Sequence, residues 1–347
     1  MRITALLLAL VLLLPAGSPA QDGRLRVTLV ADEPEAVLAI LARRREGSAP
    51  SDADWRRLFA SEGYVRLRQR EEGMRRPFTD SAFRAFVLSP ELAAREPALR
   101  ATLDAWRRAD LAAAAGRAFD YLPPGATIRA KVYPSIKPRT NSFVWDARTD
   151  PAIFLYLDPA LPAAKFENTV AHELHHVGVG SACPADPDST LPAGLRDALT
   201  WMGGFAEGRA VLAAAGGPDV HPHAASGAAE RAVWERDLAH AERDVRRLED
   251  FFLELLDARV AAEEQTPRGM AFIAGDGVPQ GPFYTVGWLM ASTVERRLGR
   301  ERLVASLCDP RRFLADYQRA AREENRTAGT PLPLWSDGLL RRIGADT

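Results

Sequence analysis

The segment FENTVAHELHHVGVG, residues 166–180, holds three of the six histidines in the 347-residue chain. Its large apolar residues recur at helical spacing, and they are Phe166, Val170, Leu174 and Val177. Positions separated by four, eight and eleven residues share one face of an α-helix. We therefore predict a helix that begins after Pro159 or Pro162, follows a small sheet and carries the histidines.

The histidines within this helix form the pattern H-E-x-x-H. His172 and His176 are four residues apart, so both imidazoles project from nearly one face and can reach a single metal ion. Glu173 lies one step round the helix, where its carboxylate can face a water on that ion and act as a general base. His175 falls between the two faces, and we interpret it as a packing residue or a partner of a ligand. The alternative is a helix whose histidines are only packed in a core.

A catalytic zinc ion takes three protein ligands and leaves a fourth position open. Metzincins place a third His six residues after the second motif His, and Ala182 occupies that position here, which excludes this class. Glu207, in GGFAEGRA at residues 203–210, lies 31 residues after His176 on the next predicted helix. We predict Glu207 as the third ligand. The alternative is an exposed Glu on an alanine-rich helix.

Three glycines surround Glu207, at positions 203, 204 and 208. Glycine inside a helix costs up to about 1 kcal/mol per residue relative to alanine. Their clustering therefore suggests a close approach of two helices around a shared ion. Glu167 and Glu173 lie too near the histidines in sequence, on the wrong helix faces, to be the third ligand.

Three further residues are candidate donors to the oxyanion of a hydrolytic transition state. Tyr284 lies in the first turn of a predicted helix at 282–298, from which its hydroxyl can reach across a cleft toward the metal. Gly287, one turn further, would leave room for a substrate backbone. His221 and His223, in DVHPHAAS, are the rival donors. The alternatives are a half-buried aromatic for Tyr284 and an ordinary surface loop for the two histidines.

The chain contains two cysteines, Cys183 and Cys308. In an oxidising compartment they can pair, which would tie the loop after the motif helix to the C-terminal region. Otherwise they are two separate buried thiols. Cys183 lies seven residues after His176, near enough to close the fourth position of a structural zinc site. Such a site would exclude hydrolysis.

The segments HELHH and FAEGRA together resemble the gluzincin peptidases, in which H-E-x-x-H is followed by a downstream Glu, often with a Gly after it. More narrowly, the chain is similar to bacterial families of zinc-dependent peptidases whose pattern continues with an aromatic-Tyr-x-x-Gly helix, here PFYTVGW. The resemblance implies a zincin-like fold, zinc as cofactor and peptide or protein substrates. It matches His172, His176 and Glu207 to the ligands and Glu173 to the general base. The resemblance rests on three short motifs, HELHH, FAEGRA and PFYTVGW.

The first twenty residues, MRITALLLALVLLLPAGSPA, are typical of a secretory signal peptide. Their apolar run, from Ala5 to Leu14, is shorter than the roughly 20 residues that a bilayer requires. We predict export to the periplasm or the extracellular space, a mature chain that starts near Gln21, and no later membrane span. The formal net charge of −1, with charges interspersed, argues against nucleic acid as a partner.

The whole chain predicts an α+β fold that is predominantly helical. Residues 21–122 are mainly helical after a strand at 24–31, and residues 123–347 form the zincin-like core, either as a separate unit or as one domain with the first. The predicted strands of the core are ATIRAKVYPSI, NSFVWDA and AIFLYLD. The predicted helices include 51–63 with Ser51 as N-cap, 195–217, 228–264 and 282–298. The strand NSFVW, residues 141–145, either binds a substrate strand along its edge or is an ordinary buried strand.

Two other functions compete with peptide hydrolysis. One is an exported helical protein that binds zinc, or a partner, without catalysis. The other is a zinc hydrolase that acts on a non-peptide amide. The position of Cys183 relative to the metal distinguishes the non-catalytic zinc-binding protein from an enzyme. Substrate profiling distinguishes the hydrolase of non-peptide amides from a peptidase.

Overall fold

The structure, a computed structural model, describes residues 23–184, 186–275, 280–327 and 329–345. The predicted signal peptide, residues 1–20, lies outside these ranges. Helices dominate the described chain, and a small sheet accompanies them. The predicted fold class, α+β and mainly helical, is therefore confirmed.

Most of the described helices follow the last strand of the sheet along the chain. The helices are α1 (Asp32–Arg45), α2 (Asp52–Ala60), α3 (Glu62–Gly73), α4 (Asp80–Val87), α5 (Pro90–Arg107), α6 (Leu111–Phe119), α7 (Ala163–Ala182), α8 (Ala193–Met202), α9 (Ala206–Ala215), α10 (Ala228–Leu238), α11 (Ala241–Leu256), α12 (Ala262–Ala271), α13 (Pro282–Leu298), α14 (Arg300–Ala305), α15 (Pro310–Glu324) and α16 (Asp337–Ile343). The strands are β1 (Leu25–Leu29), β2 (Ile128–Ser135), β3 (Phe143–Trp145) and β4 (Ala152–Tyr156).

The sheet has the order β1-β2-β4-β3. Strands β1, β2 and β4 are parallel, and β3 is an antiparallel edge strand paired with β4. β1 comes from the N-terminal part of the chain, and its Leu25 pairs with Ile128 of β2. The N-terminal part therefore contributes a strand to the same sheet that precedes the motif helix.

Helix α7 is fixed on two sides. Its Phe166, Val170 and Leu174 are fully buried in a core that they share with the sheet. Ala171, on another face, packs with Ala114 of α6 and Ala214 of α9. These contacts hold the helix rigidly, so its histidines have a defined direction.

Helices α9 and α13 touch through their backbones. A Cβ atom at Gly208 would lie 2.1 Å from the backbone nitrogen of Trp288, and one at Gly287 would lie 3.1 Å from the carbonyl oxygen of Phe205. The predicted close approach of two helices is present, but the partner of the Glu207 helix at these glycines is α13. The proposal that Gly287 leaves room for substrate was wrong, because this residue faces α9.

Several predicted helices are divided in the structure. The predicted helix 195–217 is broken by a 3₁₀ turn, Gly203–Phe205, between α8 and α9. The region 228–264 contains α10, α11 and the start of α12. Helix α11 ends at Leu256, and Ala258, two residues later, adopts a left-handed backbone conformation with φ of 54°. Such a residue is typical of the end of a helix. Helices α14, α15 and α16 follow α13 and were not predicted.

The predicted N-cap at Ser51 is confirmed, although the end of its helix is not. The Ser51 hydroxyl accepts a hydrogen bond from the backbone of Asp54, whose side chain accepts one from the Ser51 backbone. Helix α2 ends before Gly63, because Ser61 caps α3 by accepting from the Tyr64 backbone. Gly63 lies inside α3, where a Cβ atom would come within 2.9 Å of the Glu33 side chain.

No helix in the described ranges is long and apolar enough to span a bilayer.

A disulfide joins Cys183, at the C-terminal end of α7, to Cys308, between α14 and α15. The two Cα atoms are 5.1 Å apart, although the residues are 125 positions apart in sequence. The loop between residues 183 and 308 contains Glu207 and Tyr284. The bond therefore closes a loop that contains part of the candidate site.

We expect the Cys183→Ser/Cys308→Ser variant to lose about 2–5 kcal/mol of unfolding free energy, because opening a long loop frees the denatured chain. Urea unfolding with and without reductant measures this. Reductant should lower the unfolding free energy of the wild type toward that of the double-serine variant. It should leave the unfolding free energy of the variant unchanged. A wild type with the same midpoint under both conditions would contradict the expectation.

Candidate metal centre

Two helices bring three potential metal ligands together. On α7, the Nε2 atoms of His172 and His176 are 3.1 Å apart. The Glu207 Oε2 atom, on the first turn of α9, lies 3.2 Å from His172 Nε2 and 3.3 Å from His176 Nε2. The three predicted ligands therefore converge on one point.

The spacing of these donor atoms fits a tetrahedral zinc ion. Ligands about 2.0–2.1 Å from such an ion lie about 3.3–3.4 Å from one another. Two imidazole nitrogens and one carboxylate oxygen also form a donor set that catalytic zinc accepts. These three side chains thus fit zinc and leave the fourth tetrahedral position for another group.

The electrostatics of the site favour an ionised carboxylate. Burial alone would raise the pKa of Glu207, but the adjacent His176 and His172 hold it well below its usual range. Burial alone would lower the pKa of His176, but the Glu207 carboxylate outweighs burial and raises it. Glu207 is therefore negatively charged at neutral pH, as a carboxylate ligand must be.

Glu173 lines the same cavity as His172. This cavity, the metal cleft, has a volume of about 190 Å³ and is lined by residues of α7, α9, α13 and the loop after α9. Glu173 is partly exposed, so its carboxylate is accessible from the cleft. The general base predicted from the motif thus faces the space beside the ligands.

Tyr284 also lines the metal cleft. Its ring stacks on that of His172 with centroids 6.0 Å apart and an interplanar angle of 11°. Burial raises the pKa of the phenol, and the negative charge of Glu207 beside it raises the pKa further. The hydroxyl is therefore protonated and able to donate a hydrogen bond within the cleft.

The other candidate histidines occupy three different environments. His223 lines the metal cleft, whereas His221 does not, and the Nε2 atom of His221 is 3.6 Å from a carboxylate oxygen of Glu235. His175 is buried, with 1% of its surface exposed, and burial lowers its pKa well below the usual range. His175 is therefore a neutral core residue, as the packing interpretation expects.

Cys183 is excluded from the metal site by its disulfide with Cys308. A sulfur in a disulfide has no thiolate to offer a metal ion. In this structure the fourth position is thus not closed by Cys183, which removes the specific basis for a structural zinc site.

Sequence reasoning missed several residues that line the metal cleft. Lys165, Asn168 and Thr169 lie on α7 before the motif, and Gln280 precedes α13. Lys165, Asn168 and Thr169 precede His172 by seven, four and three residues, and this helical spacing could have identified them. No residue of β3 is among the described residues that line the cleft, so a substrate strand on NSFVW stays a prediction.

One of three comparisons with known proteins found a match. The sequence model of one family matches residues 55–326, a range that includes every candidate ligand and both cysteines. No curated protein and no solved structure matches the chain. Since the match covers most of the chain, the protein belongs to the family described as "Putative zinc dependent peptidase (DUF5700)", with zinc as its cofactor.

Proposed function

We propose that the protein is a gluzincin-type metallopeptidase that hydrolyses peptide bonds with Glu173 as the general base. The observation that carries this proposal is the convergence of His172, His176 and Glu207 at zinc-ligand spacing beside a cleft that Glu173 lines. A site of this kind needs an open coordination position and a base next to it. The position of Glu173 in the metal cleft and the three converging ligand atoms support both.

The protein residues divide the chemistry among themselves. His172, His176 and Glu207 would hold the zinc ion, which would supply a lowered pKa for water and polarisation of a carbonyl group. Glu173 accepts the proton of the attacking water and later delivers it to the leaving amine. Tyr284 donates a hydrogen bond to the oxyanion that develops on the substrate carbonyl.

The metal content and the cleavage specificity of the purified protein test this proposal together. We expect one zinc per chain and cleavage of a mixed peptide library that stops when zinc is chelated and returns when zinc is added. Zinc binding without cleavage of any peptide would favour a binding protein, or a hydrolase of a non-peptide amide.

Export is the second part of the proposal, and it rests on the sequence of residues 1–20. Removal of this segment would start the mature chain near Gln21 in the periplasm or outside the cell. The intact mass of the protein from the extracytoplasmic fraction measures this. A cytoplasmic protein that retains Met1 would contradict it.

We expect Tyr284→Phe to lower kcat by roughly 10²–10³, the typical loss for one oxyanion donor, with zinc content unchanged. The substitution keeps the ring that stacks on His172 and removes only the hydroxyl. Tyr156→Phe is the matched control, because its hydroxyl accepts a hydrogen bond from Arg95 outside the cleft. A fully active Tyr284→Phe enzyme would leave His223 as the donor, whereas loss of zinc would mean that Tyr284 acts by holding Glu207.

A further inference from the structure

A second cavity, of about 440 Å³, adjoins the metal cleft. The two cavities share Lys165, His223 and Gln280 as lining residues. Lys165 lies seven residues before His172 on α7, which is two helical turns or about 10 Å along the axis. The second cavity therefore begins about 10 Å from a metal ligand, along the same helix.

One part of the lining of this cavity is apolar. It is formed by one face of α10, with Ala229, Val233 and Trp234. Trp234 is buried, with 3% exposure, and its indole packs against the rings of His223 and Trp288 at centroid distances of 5.1 and 5.9 Å. These contacts fix the indole, so the cavity has a rigid aromatic surface and not a collapsible one.

The charged groups around the cavity are already paired. Lys165 of α7 donates to the carboxylate of Glu230 on α10, and this ion pair joins the two helices. Asp237, one more lining residue, pairs with Arg236. A charged ligand side chain would therefore meet occupied partners, whereas an apolar one gains by leaving water.

We propose that this cavity, lined by Ala229, Val233 and Trp234, binds a large apolar or aromatic side chain of the peptide substrate. An extended peptide advances about 3.3 Å per residue, so a side chain bound about 10 Å from the metal lies within about three residues of the scissile bond. The inference rests on the proposed peptidase function and adds the class of substrate to it.

Peptides that differ at one position test the pocket directly. A series places Phe, Leu, Ala, Asp or Lys at each of the three positions on either side of the cleaved bond. At one position we expect kcat/KM for Phe or Leu to exceed that for Ala by roughly 10–100-fold. Equal rates for these residues at all six positions would overturn the proposal.

Two surface substitutions on α10 connect this preference to the cavity. Ala229 and Ala232 are both exposed, but only Ala229 lines the cavity. Ala229→Trp should reduce the Phe-to-Ala ratio to near one while the Ala peptide is cleaved as by the wild type. Ala232→Trp should leave the ratio unchanged. An unchanged ratio in Ala229→Trp would overturn the proposal.

A binding measurement separates failure of the pocket from failure of the peptidase function. If no peptide is cleaved, the peptidase function fails, and calorimetric titration with N-acetyl-phenylalanine amide and N-acetyl-alanine amide still tests the pocket. Tighter binding of the phenylalanine amide to the zinc-loaded wild type, weakened in Ala229→Trp, supports it. Equal binding of the two amides overturns it.

Discussion

Replacing Glu173 by Gln should abolish peptide hydrolysis while the protein keeps its zinc. The amide preserves the shape of the side chain in the metal cleft, but it cannot accept the proton of the attacking water. His172 and His176, its neighbours on α7, keep their positions because the apolar face of the helix is buried. We expect kcat to fall by roughly 10²–10⁴ or more, with one zinc per chain.

Glu167→Gln is the matched control for this variant. Glu167 lies on the same helix, but its carboxylate accepts a hydrogen bond from the backbone of Asp110 and does not line the cleft. Steady-state rates and zinc content should match those of the wild type. If Glu173→Gln loses zinc, Glu173 acts as a ligand; if it stays active, another group acts as the base.

The candidate metal ligands could be predicted because their signals are local. The spacing of His172 and His176 needs only the geometry of one helix, and the apolar residues of α7 recur with the same period. Predicting Glu207 required one more inference, because it lies on a different helix. The glycines around it indicated that this helix approaches another one closely. Alternation predicted β1, and short β-branched and aromatic runs bounded by polar residues or proline predicted β2, β3 and β4.

The purpose of the glycines could not be predicted, because it depends on which helices meet. Gly208 and Gly287 are 79 residues apart in sequence, yet a Cβ atom on either one would collide with the backbone of the other helix or crowd it. Only the packing of α9 on α13 shows this. The Gly287 error had the same origin, since a glycine one turn after a candidate oxyanion donor suits a substrate path equally well.

The part of the metal cleft that the loop after α9 forms could not be predicted from the sequence either. His223 and His221 are two residues apart, and no periodic pattern distinguishes the histidine that lines the cleft from the one that does not. Their positions follow from the turn after α9, where the His223 backbone donates to His221 Nδ1. Side-chain direction in an irregular segment is set by such contacts and not by spacing.

Replacing Glu207 by Gln should remove most of the zinc and, with it, the activity. Glu207 Oε2 contacts both motif histidines, and its charge is the only negative one among the three converging atoms. Residues that merely orient ligands contribute about 10–100-fold to metal affinity, so loss of a ligand should cost more than about 100-fold. Competition with a chelator of known affinity measures the difference.

Thermal unfolding gives a second measurement that does not depend on catalysis. Zinc binds the folded protein, and at a concentration of 100 times Kd it stabilises the fold by about 2.7 kcal/mol. The wild type and Glu235→Gln, whose carboxylate is exposed on α10, should both gain this stability when zinc is added. Glu207→Gln should gain little at the same zinc concentration. If it gains as much as the wild type, His172 and His176 hold the ion without Glu207, and the third ligand must be sought among the other residues of the cleft.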